Sequence, residues 1–242
     1  KHFFVADNPA LQGMSGRISG YYDGVDMQRS VILAELPEFE KPLIIDLYRI
    51  EADAVHQYDL PVHYSGQIIR TDFDYQVENT LKPVGVDNGY QHLWNVASGQ
   101  VTQSSLVSWL HDSSYYSLVT SGGDGSDVIF ARTGANDPSF NLRSEPALII
   151  RQSGQNHVFA SVLETHGYFN ESMEASVGAR GLVESVVVVG HNSVGTIVRI
   201  LTTLKKSYVV AVSNLPNVDK ESIHTVVFEG ETFTWSGAFA LL

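Results

Sequence analysis

The 242 residues contain no cysteine, which removes disulfides and thiolate metal sites together and leaves a fold held by packing and hydrogen bonds. No run of about 18 apolar residues occurs, so a membrane-spanning helix is not expected. Lys and Arg total 15 against 27 Asp and Glu, a formal charge of −12. Phosphate-backbone binding needs a basic surplus, so nucleic acid is excluded as a partner. The same charge repels any polyanion at long range, so an anion site must be a local basic pocket. Arg70, Lys82, Arg132, Arg143 and Arg151 are the material for one, unless they are ordinary surface charges. The opening Lys1-His2-Phe3-Phe4 has no signal-peptide layout and no initiating Met, and reads as a cut in a longer chain.

What is present is β-forming. Segments rich in Val, Ile, Tyr and Phe recur between clusters of Gly, Asn, Asp and Ser: 43–50, 67–77, 128–132, 147–151 and 157–164, then 182–189, 196–204, 207–212, 224–228 and 232–235. No helical period competes with them. Ile197, Arg199 and Leu201 alternate with Val198 and Ile200, so both faces of that strand are partly apolar, the pattern of a strand between packed layers. Val86 to Gly89, Ser121 to Gly125 and Asn214 to Asn217 supply turn residues. With a hydrophobic content of 43%, no internal repeat and no long linker, the chain is expected to be a single all-β domain over 1–242, a large antiparallel β-sandwich of a dozen or more strands.

Three polar stretches are candidates for chemistry. His56 to Gln67, HQYDLPVHYSGQ, puts His56, Tyr58, His63 and Tyr64 within nine residues. In a straight strand His56, Tyr58, Leu60, Val62 and Tyr64 share one face and Asp59, Pro61 and His63 the other, so a joint two-His metal site would need a bulge near Pro61. Three readings stand: a metal site, a cleft whose imidazole and phenol groups bind sugar hydroxyls or a carboxylate, and satisfied structural polar residues. In Gly89 to Trp94, GYQHLW, a strand would place Tyr90, His92 and Trp94 on one side, to stack on sugar or fill the core. Gly134 to Arg143, GANDPSFNLR, is either a functional loop ending in an Arg suited to a carboxylate or an Asx-type turn. Asp124 and Asp127 lack the ligand count of a calcium loop, Asn170-Glu171-Ser172 matters only as a glycosylation sequon in a secreted eukaryotic protein, and no phosphate loop, nucleophile elbow or HExxH motif occurs.

These stretches, with the upstream PLIIDLYRIEAD of Pro42 to Asp53, resemble the C-terminal half of heparinase II/III-like polysaccharide lyases, nearest to alginate lyases acting on oligo-alginate. The likeness runs from about Lys1 to His166 and is only general beyond Gly167. It implies a helical toroid preceding the sandwich, with the active cleft between them, and β-elimination on alginate or related uronate chains. It also implies that the main catalytic Asn-His and Tyr positions, and the parent enzyme's zinc ligands, lie upstream, so this segment carries no metal or cofactor of its own. On that reading the chain supports the cleft and is inactive alone, with His56, Tyr58, His63, Tyr64, Tyr90, His92 and Arg143 as substrate-cleft candidates. A periplasmic or extracellular bacterial location and, as an assembly still open, a homodimer belong to the same expectation. The competing reading is a non-catalytic carbohydrate-binding or interaction sandwich using Tyr90, Trp94, Trp109 and Trp235.

Overall fold

The structure is a computed structural model describing residues 10–123, 125–134 and 144–242, with the backbone alone of residues 2–8. Among the described residues the regular structure is eighteen strands and one short 3-10 turn, Tyr90–His92. The strands are β1 His2–Asn8, β2 Leu11–Ser19, β3 Val25–Ala34, β4 Leu43–His63, β5 Gln67–Thr71, β6 Gln76–Pro83, β7 Leu93–Val101, β8 Ser105–His111 and β9 Ser114–Thr120. They continue with β10 Ser126–Thr133, β11 Glu145–Asn170, β12 Ala175–Val177, β13 Val183–His191, β14 Gly195–Thr202, β15 Ser207–Ser213, β16 Ile223–Phe228, β17 Glu231–Ser236 and β18 Phe239–Leu241. All the described pairings are antiparallel, in agreement with the all-β expectation.

The twelve-stranded sheet runs β1-β2-β3-β4-β11-β10-β7-β6 and branches at β11, whose distal half also carries β9 and β12, with β8 and β5 following β9. The early half of β11 lies between β4 and β10 (Asp59↔Arg151↔Asp127), whereas Ser161 to Tyr168 pair with β9. The two branches enclose Val107, Trp109, Leu118, Phe130 and Leu148. Ile32, Ile45 and Val162 of the sheet's other half pack on Val186, Val198 and Ile200 of a four-stranded sheet, β13-β14-β15-β18. The far side of that sheet is covered by the β16–β17 hairpin through Ile197, Val226, Phe233 and Trp235. Strand β14 is therefore buried on both faces, as its two apolar parities predicted: Ile197 and Val198 are both 0% exposed. Each such side chain contributes about 1.5–3 kcal/mol by leaving water. Gly195 makes the third layer fit, since a Cβ there would stand 2.4 Å from Cη2 of Trp235.

Two expected boundaries shift. The separate strands expected at 43–50, 147–151 and 157–164 lie within the uninterrupted β4 and β11, because the ladder shifts register between Gly154 and Asn156, opposite the extra residues Ala52 to Val55 of β4, and does not turn. The single strand expected over 67–77 is two, β5 and β6, with 72–75 between them. There Asp72 Oδ1 accepts the Leu106 N–H at 2.7 Å and the segment leaves the sheet.

Candidate functional site

The C-terminal half of β4 alternates as its sequence requires. Leu60 and Val62 turn toward apolar clusters, while Asp59, Pro61 and His63 lie cross-strand from Arg151, Ile149 and Ala147 of β11. Pairing continues through Pro61 without a bulge, so His56 and His63 do not converge. At the floor, Arg151 donates from Nε and Nη2 to the two carboxylate oxygens of Asp59, both at 2.8 Å. Tyr90 Oη donates to Asp59 Oδ2 at 2.6 Å. The Asp59 side chain is 6% exposed and that of Arg151 22%, so this bidentate pair is largely shielded from screening. The Asp59 hydrogen bonds raise the guanidinium's pKa further, and burial followed by the Asp59 bond pushes the Tyr90 phenol up to about 12.

Tyr90 reaches Asp59 because the preceding turn curls. Asn88 and Gly89 have φ of 57° and 89°, Tyr90 N donates to Asp87 O and His92 N to Gly89 O. The expectation of Tyr90, His92 and Trp94 on one side of a strand is thereby corrected: two consecutive left-handed residues start a 3-10 turn, and β7 begins only at Leu93. Tyr90 enters the site, and His92 is exposed with its carbonyl accepting the Gly134 N–H at 3.0 Å.

Two adjoining hollows flank the Asp59–Tyr90 pair. The larger, about 670 Å³, is lined by His63, Pro61, Asn88, Leu93 and Ile149. The smaller, about 370 Å³, is lined by His56, Gln57, Tyr58, Asp23 and Tyr48. Tyr22, Asp59 and Tyr90 line both. Tyr22 was not anticipated. It sits in the tight turn between β2 and β3, where Gly20 and Gly24 have φ of 69° and 70°; the residue is 59% exposed and its ring is edge-on to that of Tyr21, with centroids 4.8 Å apart. The signal that could have found it is a tyrosine pair bracketed by turn glycines, which a short hairpin turn cannot bury.

The structure thus brings together His56, Tyr58, His63 and Tyr90, although Tyr58 is 9% exposed and its hydroxyl is taken up by Gln155 O at 2.9 Å. Tyr64 lies elsewhere, its ring 5.4 Å from that of Trp109 in the cluster between the branches, where burial raises its pKa. Arg143 and the rest of 135–143, like Asp124, lie outside the described residues. Of the other basic residues, Arg151 is locked to Asp59, Arg70 and Lys82 are exposed, and Arg132 reaches Ser144 O at 3.5 Å. Among the described residues no Lys or Arg lines either hollow, and no group of three His, Asp or Glu could hold a metal ion. Zinc therefore has no ligand set among the described residues. Trp109 and Trp235 are core residues, 6% and 4% exposed, not binding-platform aromatics.

No protein-family model matches the chain. An exo-oligoalginate lyase of Saccharophagus degradans is 35% identical to it over 231 residues, covering 92% of the chain and 31% of that protein. An alginate lyase of Stenotrophomonas maltophilia is 34% identical over 243 residues, covering 99% of the chain and 32% of the relative. The chain is homologous to one third of an alginate lyase. The resemblance carried by the three polar stretches is thus supported along nearly the whole chain, the part beyond Gly167 included. The crystal structure of heparan sulfate lyase HepC from Pedobacter heparinus aligns with this alginate-lyase homologue with a TM-score of 0.53 at 11% identity, over 90% of the chain and 28% of that structure. At that identity the likeness is one of fold. The chain spans about a third of the length of the relatives it matches.

Proposed function

We propose that the chain is the C-terminal β-sandwich of a polysaccharide lyase that cleaves alginate or related uronate oligosaccharides by β-elimination, and that it supports the substrate cleft without being catalytic alone. The observation that carries this is identity of 35% along 92% of the chain to less than a third of an exo-oligoalginate lyase. β-Elimination needs a group to neutralise the uronate carboxylate, a base for the proton at C5 and an acid for the departing oxygen. The groove that the two hollows form is poorly equipped for the first, and for the second it offers the imidazoles of His56 and His63 and not its fixed phenol. Its half-buried guanidinium is neutralised by Asp59, and its best-placed phenol, Tyr90, is held protonated and donates to that carboxylate. The missing groups would come from an N-terminal helical domain, with any zinc bound upstream and the assembled enzyme acting in the periplasm or outside the cell.

The test is to incubate this chain, and the chain joined to the two thirds of the Saccharophagus degradans enzyme that it does not match, with alginate oligomers while following the absorbance of unsaturated uronates. Product is expected from the joined polypeptide only. Product from the chain alone would overturn the supporting role, and none from the joined polypeptide, beside an active parent control, would overturn the lyase reading.

A further inference from the structure

We propose that the paired hollows form a two-subsite oligosaccharide groove that reads sugar hydroxyls and ring faces and not carboxylates, with Tyr22 as its stacking wall. The proposal deepens the lyase reading and rests on it for the nature of the chain that occupies the groove.

The hollows lie on either side of the residues common to both, Tyr22, Asp59 and Tyr90. Asp59 lies at the bottom with its oxygens engaged, so the two tyrosines form the saddle between the hollows. Tyr90 is fixed by its bond to Asp59. Tyr22 stands edge-on to Tyr21 in its turn and presents 59% of its surface to solvent, so an apolar sugar face can stack on it. A chain crossing this saddle sets one ring on each side. The larger hollow offers His63 and Asn88 as hydrogen-bonding edges and the smaller offers His56 and Gln57, groups that match hydroxyls.

Charge decides which side of the sugar faces in. No Lys or Arg lines either hollow among the described residues, and Arg151 beneath them has its Nε and Nη2 committed to Asp59. Asp23 at the rim and the chain's net charge of −12 oppose a carboxylate that points inward. A uronate chain is therefore held with its carboxylates toward solvent or toward another part of the enzyme, and the groove tolerates their loss.

The test uses isothermal titration of this chain with an alginate tetrasaccharide and with the same tetrasaccharide after reduction of its carboxyl groups to primary alcohols. Each is measured at about 0.05 and 0.5 M salt, where screening separates ionic from neutral contacts. Affinities within about twofold of each other are expected for the two sugars, with little salt dependence. The exposed Tyr22→Ala substitution should weaken both by about tenfold, equivalent to about 1.4 kcal/mol, without disturbing the core. Loss of binding on reduction, no binding of either sugar, or full affinity in the Tyr22→Ala variant would each overturn the proposal. The two readings fail separately. A joined polypeptide that cleaves alginate while this groove binds nothing removes the groove assignment alone. Neutral-sugar binding without turnover in the joined polypeptide leaves the groove and removes the lyase reading.

Discussion

Asp59 accepts three hydrogen bonds and faces one guanidinium, so the groove floor carries a fixed structure with no spare charge. Much of this was readable residue by residue. Strand alternation separates Asp59 and His63 from Tyr64, and the structure keeps that separation, whereas Tyr58, of the same parity as Tyr64, lines the smaller hollow beside Asp59. What the sequence could not show was the partner of Asp59, because Tyr90 lies 31 residues away and is delivered by a turn whose handedness depends on Asn88 and Gly89. The bond has a measurable signature. A tyrosine that titrates near 10 when unfolded and is pushed up to about 12 when folded keeps its proton longer in the native state. Its contribution to stability is full below about pH 10 and disappears as pH rises through about 12. Phenolate absorbance of the folded chain and of its Tyr90→Phe variant should therefore differ by a tyrosine that ionises late. Tyr208, pushed to about 12 by burial and its bond to Glu38, serves as the internal reference. A difference spectrum that titrates near pH 10 would mean that the Tyr90–Asp59 bond is not formed in solution.

At the scale of elements, the apolar strands were legible and their lengths were not. The polar run Gln152 to Asn156 has turn composition, yet β4 pairs with Gln152 to Gly154 and again with Asn156, taking up the register shift in its own Ala52 to Val55, a choice made by the neighbouring strand. The connection that leaves β11 for the second sheet was equally invisible, because it depends on one buried carboxylate. Glu164, 3% exposed, accepts the Leu182 N–H at 2.8 Å on both oxygens and the Val183 N–H at 2.9 Å, just as β13 begins. Truncation to Ala leaves those N–H groups without an acceptor, at about 2–4 kcal/mol. For a chain of this size the expected drop in Tm is roughly 5–12 °C. Glu164→Gln keeps one acceptor oxygen and should lose about half as much. Thermal unfolding by circular dichroism reads both variants, and an unchanged midpoint for Glu164→Ala would show that the clamp contributes nothing.

For the whole molecule, an antiparallel sandwich follows from the apolar parities of strands such as β14, but the branching of one sheet into two packed regions does not. Branching is a matter of which distant strands pair, and local periodicity carries no record of that. Its consequence is mechanical. Strand β11 contributes Leu148 to the core between the branches and Val162 to the core against the second sheet, so neither core can lose its packing without disturbing a strand of the other. A single cooperative unit is the expectation, and scanning calorimetry with two substitutions in separate cores tests it. Leu148→Ala and Ile200→Ala each remove most of a side chain that is no more than 1% exposed, at about 2–5 kcal/mol. Both should lower the midpoint of one and the same transition, with van't Hoff and calorimetric enthalpies in agreement. Two transitions, one shifted only by Leu148→Ala and the other only by Ile200→Ala, would divide the chain into two folding units and place the groove, which is built on β4 and the early half of β11, in the first of them alone.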